Sequence, residues 1–301
     1  MAVLGSGRVD VHQHLWPAAL VDALRERTRP PMLRSWTLHC ASESPYDVVA
    51  ADHDPAARAA LEPDVSRALV SLSTPLGIEY LPPDEGRPLL DAWHGGAREL
   101  PEPFGAWAAA SVLDPDVERL DDLRRAGFVG LQVPAGVFGS PAAIEAAAPL
   151  LAWCEQRQWP VLVHPGPVAG QPRGVPPWWA PVVDYVAQLH AAWWAWHAVG
   201  RSLLPDLRLC FVAGAGLAPA HHERFAVRSG NRFVVDPNVF VETSSLGRQG
   251  IDALVRTLGI DVVVLGSDRP YAEPADPCLG DAAAHAVGVV NPTRLLEGAA
   301  P

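Results

Sequence analysis

Two histidines one residue apart close the first apolar run of the chain, Val9-Asp10-Val11-His12-Gln13-His14. On an extended strand side chains alternate faces, so His12 and His14 share one side and can grip a single ion together. Two later apolar runs also end in metal-ligating residues: Val161-Leu162-Val163 is followed by His164, and Val262-Val263-Val264-Leu265-Gly266-Ser267 by Asp268. A core histidine or a helix-capping aspartate explains each residue singly. Their recurrence at strand C-termini points instead to a shared three-His, one-Asp site, suited to zinc, with manganese as the alternative, and with room for a water.

All 23 basic residues are arginine; the chain has no lysine. That excludes Schiff-base chemistry, a lysine base and a carbamylated lysine bridging two metals, so one divalent ion is expected. Arg269 and Arg173 are candidates to anchor a substrate carboxylate by a bidentate contact. Trp178, beside Trp179 and just before a helical pattern, is a candidate pocket wall, and His221 a candidate to reach back toward the site.

Positioning these groups requires strands whose ends converge. The pattern predicts eight strands, at 8–14, 68–74, 105–112, 128–133, 160–164, 207–213, 239–243 and 261–268, alternating with helical stretches such as Asp114–Arg125, opened by Asp-Pro, and Ser140–Trp159, opened by Ser-Pro. Strands separated by helices pair in parallel, and eight of them close most simply into a (β/α)8 TIM barrel, here a single domain over residues 1–301. A flat doubly wound sheet is the alternative. Two connections exceed what a crossover needs, 15–67 and 166–205, and at least part of each is expected to overhang the C-terminal mouth. The group Trp193-Trp194-Ala195-Trp196 in the second suits helix packing or a subunit interface, the latter allowing a homodimer.

A net charge of -11 and a pI near 5.4, without a basic cluster, argue against nucleic acid and anionic membranes and favour a small-molecule substrate. No window approaches the roughly 18 apolar residues of a membrane span. Cys40, Cys154, Cys210 and Cys278 are widely spaced, so reduced thiols in a cytoplasmic protein are expected.

The chain resembles the amidohydrolase superfamily, in particular the branch of aminocarboxymuconate-semialdehyde decarboxylase and related metal-dependent hydrolases. The resemblance covers nearly the whole chain. It rests on Asp10-Val11-His12-Gln13-His14-Leu15-Trp16-Pro17, Val163-His164-Pro165, Phe240-Val241-Glu242-Thr243-Ser244-Ser245 and Gly266-Ser267-Asp268-Arg269-Pro270-Tyr271. The opening motif is similar also to sugar-lactone hydrolases of that superfamily. It implies that His12, His14, His164 and Asp268 bind the metal and that Asp268 orients or deprotonates a water. The implied activity is hydrolysis of a small lactone, amide or carboxylate, or non-oxidative decarboxylation of an unsaturated or aromatic carboxylate. One position departs from the pattern: Ala213 stands where the family's sixth strand usually ends in histidine, which makes a divergent barrel with impaired catalysis a third reading. A dinucleotide site is a weaker alternative, because Gly214-Ala215-Gly216 follows a strand and Asp236 lies 20 residues beyond, but Pro219 replaces the third glycine.

Overall fold

The computed structural model describes residues 7–298 except 42, 169, 171, 173 and 277. Its centre is a ring of eight parallel strand positions: β1 (Arg8–Gln13), β2 (Val65–Val70), β3 (Phe104–Ala106 continuing as Ala108–Ala109), β4 (Leu131–Pro134), β5 (Val161–His164), β6 (Leu209–Phe211), β7 (Val239–Glu242) and β8 (Val263–Val264). Two short sheets, β1-β2-β3 and β3 through β8, meet inside β3, where Trp107 N donates to Val70 O and Ala108 N to Gly130 O. The remaining gap is bridged between first and last strands by Val11 N to Leu265 O (2.9 Å) and Asp268 N to His12 O (2.9 Å). The barrel reading therefore holds over the flat sheet.

The strands are shorter than the sequence suggests, because several predicted strand ends are ladder-free turns that carry the site residues. Residues 71–74 lie past β2, 260–262 form a 3-10 turn before β8, and His14 lies one residue beyond β1. β4 through β8 consist of fully buried side chains, since helices cover the sheet outside while side chains fill the lumen. A single apolar core runs from Val9 to Leu296.

Helices form where capping and periodicity agree. Ser140 caps Pro141–Gln156 by accepting from Ala143 N. The helix predicted from Asp114 starts at Val117, because Asp116 rather than Asp114 caps it, accepting from Arg119 N at 3.0 Å. In Arg248–Leu258, Ile251, Leu254 and Leu258 form the stripe turned to the barrel. Trp193 and Trp196 are buried at 1% and 0% exposure, packing core as helix-spaced aromatics usually do. The long first connection carries a three-stranded antiparallel flap, Met32–Arg34, Thr37–His39 and Tyr46–Asp47. No helix among the described residues is long and apolar enough to cross a membrane. Cys154 and Cys210 are buried, Cys40 partly so and Cys278 exposed, all as free thiols.

Candidate metal centre

The C-terminal ends of β1, β5 and β8 bring His12, His14, His164 and Asp268 together, each offering one ligand atom within 4.8 Å of the others. Nε2 of His14 lies 3.2 Å from Nε2 of His12, 3.2 Å from Nε2 of His164 and 3.2 Å from Oδ1 of Asp268. A tetrahedron with metal–ligand bonds of about 2.0–2.1 Å has edges of ~3.3 Å. The spacing is that of ligands around one ion.

The far side of each ring fixes which nitrogen faces inward. Nδ1 of His14 lies 3.0 Å from the Ser71 carbonyl oxygen, Nδ1 of His164 2.8 Å from that of Pro165, and Nδ1 of His12 3.3 Å from Oε1 of Glu242. With the proton held on Nδ1 by these acceptors, three Nε2 lone pairs and an ionised carboxylate point at one another. Such a set repels itself unless a cation lies between, so the residues fit a divalent metal. Burial, and the neighbouring imidazoles, push His164 well below the usual histidine range; burial likewise lowers His14. Asp268 is shifted below the usual carboxylate range: burial opposes this, but the His14 hydrogen bond and the three imidazoles outweigh it.

Backbone conformation aims the ligands. Asp268 adopts φ +60°, a left-handed value aspartate tolerates better than most residues, while its N–H is held by His12 O. Two residues earlier a Cβ on Gly266 would collide with Oε2 of Glu242, so only glycine admits that carboxylate.

Glu242 is the site residue that ligand spacing alone does not single out. It ends β7 fully buried and accepts from Ser244 N, Ser244 Oγ and Ala213 N, each at 2.5 Å, in addition to facing His12. Its signal in the sequence is that of a lone acid in an otherwise apolar strand, Val-Phe-Val-Glu. A second support lies beneath: Asp10 accepts from Gln13 Nε2 and Ser267 N, and Arg58, buried, donates to Gln13 Oε1 and to the His14 carbonyl oxygen. Burial raises Asp10 to about 6.

The other candidates fall elsewhere. The Arg269 guanidinium donates to Glu62 Oε1 (2.6 Å), the Leu61 carbonyl oxygen and Glu273, so it braces the loop after β8 and is not free to clamp a substrate. Arg173 lies outside the described residues. Trp178 is 56% exposed against Trp179 rather than in an enclosed pocket. His221 is exposed and packs on His190, away from the ligand cluster. Ala213 through Leu217 form a run of left-handed residues after β6, and a Cβ on Gly214 would meet Leu246 and Leu254 at 2.8 Å. These glycines serve a tight, packed left-handed turn, and the following helix opens only at His222 rather than on the glycines as a dinucleotide fingerprint requires.

A parallel barrel that gathers three histidines and an aspartate at its C-terminal mouth, the metal-ligand cluster found among the described residues, has the architecture of a metal-dependent barrel enzyme. The family model described as Amidohydrolase matches residues 9–296, and the chain belongs to that family. No curated protein matches. Solved structures match over almost their full lengths. The 5-carboxyvanillate decarboxylase LigW from Sphingomonas paucimobilis has TM-score 0.73 at 15% identity, covering 97% of this chain and 99% of the other. The 2,6-dihydroxybenzoate decarboxylase from Rhizobium has TM-score 0.68 at 16% identity, covering 97% and 98%. A 5-carboxyvanillate decarboxylase from Novosphingobium aromaticivorans, complexed with manganese and 4-hydroxy-3-methoxy-5-nitrobenzoic acid, has TM-score 0.71 at 17% identity, covering 97% and 96%.

Proposed function

We propose that this protein is a metal-dependent enzyme that removes carbon dioxide from a small aromatic or unsaturated carboxylate without a redox cofactor. The observation that carries this reading is the convergence of His12, His14, His164 and Asp268 at the mouth of a barrel whose fold is shared, end to end, with decarboxylases of such acids. The three imidazoles and one carboxylate favour zinc, with manganese the alternative. A bound divalent cation supplies positive charge that neutralises a substrate carboxylate and polarises an adjacent oxygen.

The chain's own residues then have defined tasks. Glu242, Ser71 and Pro165 engage Nδ1 of His12, His14 and His164 and so turn each Nε2 toward the position a metal would take. Asp268, 20% exposed, is the most exposed of the four ligand residues. In decarboxylation the carbon–carboxyl bond breaks, its electron pair stays on carbon, and that carbon takes a proton that Asp268 has first collected from solvent. Because Asp268 rests ionised, hydrolysis of a small lactone or amide is the second reading: the carboxylate would accept a proton from water as its oxygen attacks the carbonyl. A cytoplasmic location and a homodimer are compatible with four free thiols and the exposed Trp178 and Val182, and belong to this proposal.

The test is carbon dioxide release from 2,6-dihydroxybenzoate and related hydroxybenzoates by zinc- and manganese-loaded protein, beside ester and lactone hydrolysis. Release abolished by Asp268→Asn supports the first reading; hydrolysis alone supports the second. Neither activity, with metal bound at about one per chain, would assign the barrel to the catalytically impaired class suggested by Ala213.

A further inference from the structure

A polar wall rises from the metal centre to the flap. The Tyr271 ring stands edge-on to His14 at 5.4 Å between centroids, and its hydroxyl interacts with Ser73 and with Tyr46 of the flap. Next to Tyr46, Tyr185 of the β5 connection donates its hydroxyl to Oε1 of Glu43 at 2.9 Å. The four side chains come from three different mouth loops, and Tyr46 and Tyr271 remain 41% and 46% exposed.

The charge of this wall is one-sided. Glu43 is surrounded by the Tyr185 hydroxyl and the Asp184 carboxylate, whose Oδ2 is buried without a hydrogen-bond partner. The arginines that reach the ligand-bearing loops are committed elsewhere, Arg58 to His14 O and Gln13 and Arg269 to Glu62 and Glu273. Among the described residues the wall thus offers tyrosine hydroxyls and a carboxylate, with no guanidinium to receive an anion.

We infer that Glu43, Tyr46, Tyr185 and Tyr271 form the specificity surface of the enzyme and select a monocarboxylate whose far end carries a hydroxyl, rejecting one whose far end is a second carboxylate. This rests on the aromatic-carboxylate reading above and names its substrate class. A phenolic hydroxyl donates to Glu43 and exchanges hydrogen bonds with the tyrosines, whereas a carboxylate placed there faces like charge in a partly desolvated site, which is the repulsive element specificity requires.

The experiment is titration calorimetry on zinc-loaded protein of confirmed stoichiometry, with 2,4-dihydroxybenzoate and 2-hydroxyterephthalate, which differ in a hydroxyl or a carboxylate opposite the shared carboxylate. The dihydroxy acid should bind at least about tenfold more tightly to the wild type. In Glu43→Gln, which keeps the shape and removes the charge, the preference should shrink below about threefold, while Tyr185→Phe, which keeps the Glu43 carboxyl group, should leave more of the preference than Glu43→Gln does. Equal binding to the wild type, or a preference untouched by Glu43→Gln, overturns the inference and leaves the activity standing. Binding of neither acid overturns the aromatic-carboxylate reading itself, and this inference with it.

Discussion

Replacing Glu242 by glutamine tests whether the metal centre depends on a group that is not itself a ligand but holds one, His12, from behind. The carboxylate accepts four contacts: Ser244 N, Ser244 Oγ, Ala213 N and, at 3.3 Å, Nδ1 of His12. Glutamine has one acceptor oxygen, and its amide turns two donor hydrogens toward groups that are themselves donors. With exposure of 0%, no water replaces the lost acceptor. Losing one charge-assisted hydrogen bond and orphaning its donor costs about 1.5–3 kcal/mol. The His12 ring would also lose the partner that holds its proton on Nδ1, and loss of such outer partners lowers metal affinity about 10–100-fold. We expect Glu242→Gln to fold with a reduced melting temperature and to release zinc to a competing chelator at about 10–100-fold lower chelator concentration. Zinc affinity within twofold of the wild type, in a folded variant, would show that the Glu242 contact does not orient His12 and would refute the reasoning.

Three further outcomes are expected. His12→Ala and Asp268→Ala should each reduce metal content measured by elemental analysis from about one per chain toward zero; unchanged content in both would remove the site. Glu79 is 0% exposed, has an unpartnered Oε2, and is raised by burial to about 8. Its folded form holds a proton that the unfolded chain has lost above pH ~4.5, so this contribution to stability is present at low pH and disappears as pH rises toward 8. Thermal melts from pH 5 to 9 should show a declining melting temperature that Glu79→Gln flattens; a parallel decline in both proteins would contradict the assignment. Arg269→Gln should lower thermal stability by breaking the Glu62 brace yet change the affinity for 2,4-dihydroxybenzoate by less than about threefold; a loss of tenfold or more would return Arg269 to the role of substrate anchor.

The ligand set is legible in the amino-acid sequence because metal coordination imposes residue type and because barrel strands end where apolar runs end. His12, His14, His164 and Asp268 each follow such a run, and parallel strands place their C-termini at one mouth. The alternation of strands and helices determines the barrel for the same local reason: hydrophobic period and capping are written residue by residue. Partnerships across long separations are not legible in this way. Arg269 looks like a free cation after Asp268 until Glu62, 207 residues away, is seen to hold it. Trp178 looks like a pocket wall until its exposure is known, and Gly214-Ala215-Gly216 looks like a phosphate loop until its left-handed turn is traced. Glu242 reads as a lone acid in an apolar strand, and only the meeting of β1, β6 and β7 makes it the support of His12. Local sequence determines which residues can bind a metal, because that is set by atom type and strand direction. Which charges remain free for a substrate is set by the partners that folding brings to them, and only the tertiary structure decides that.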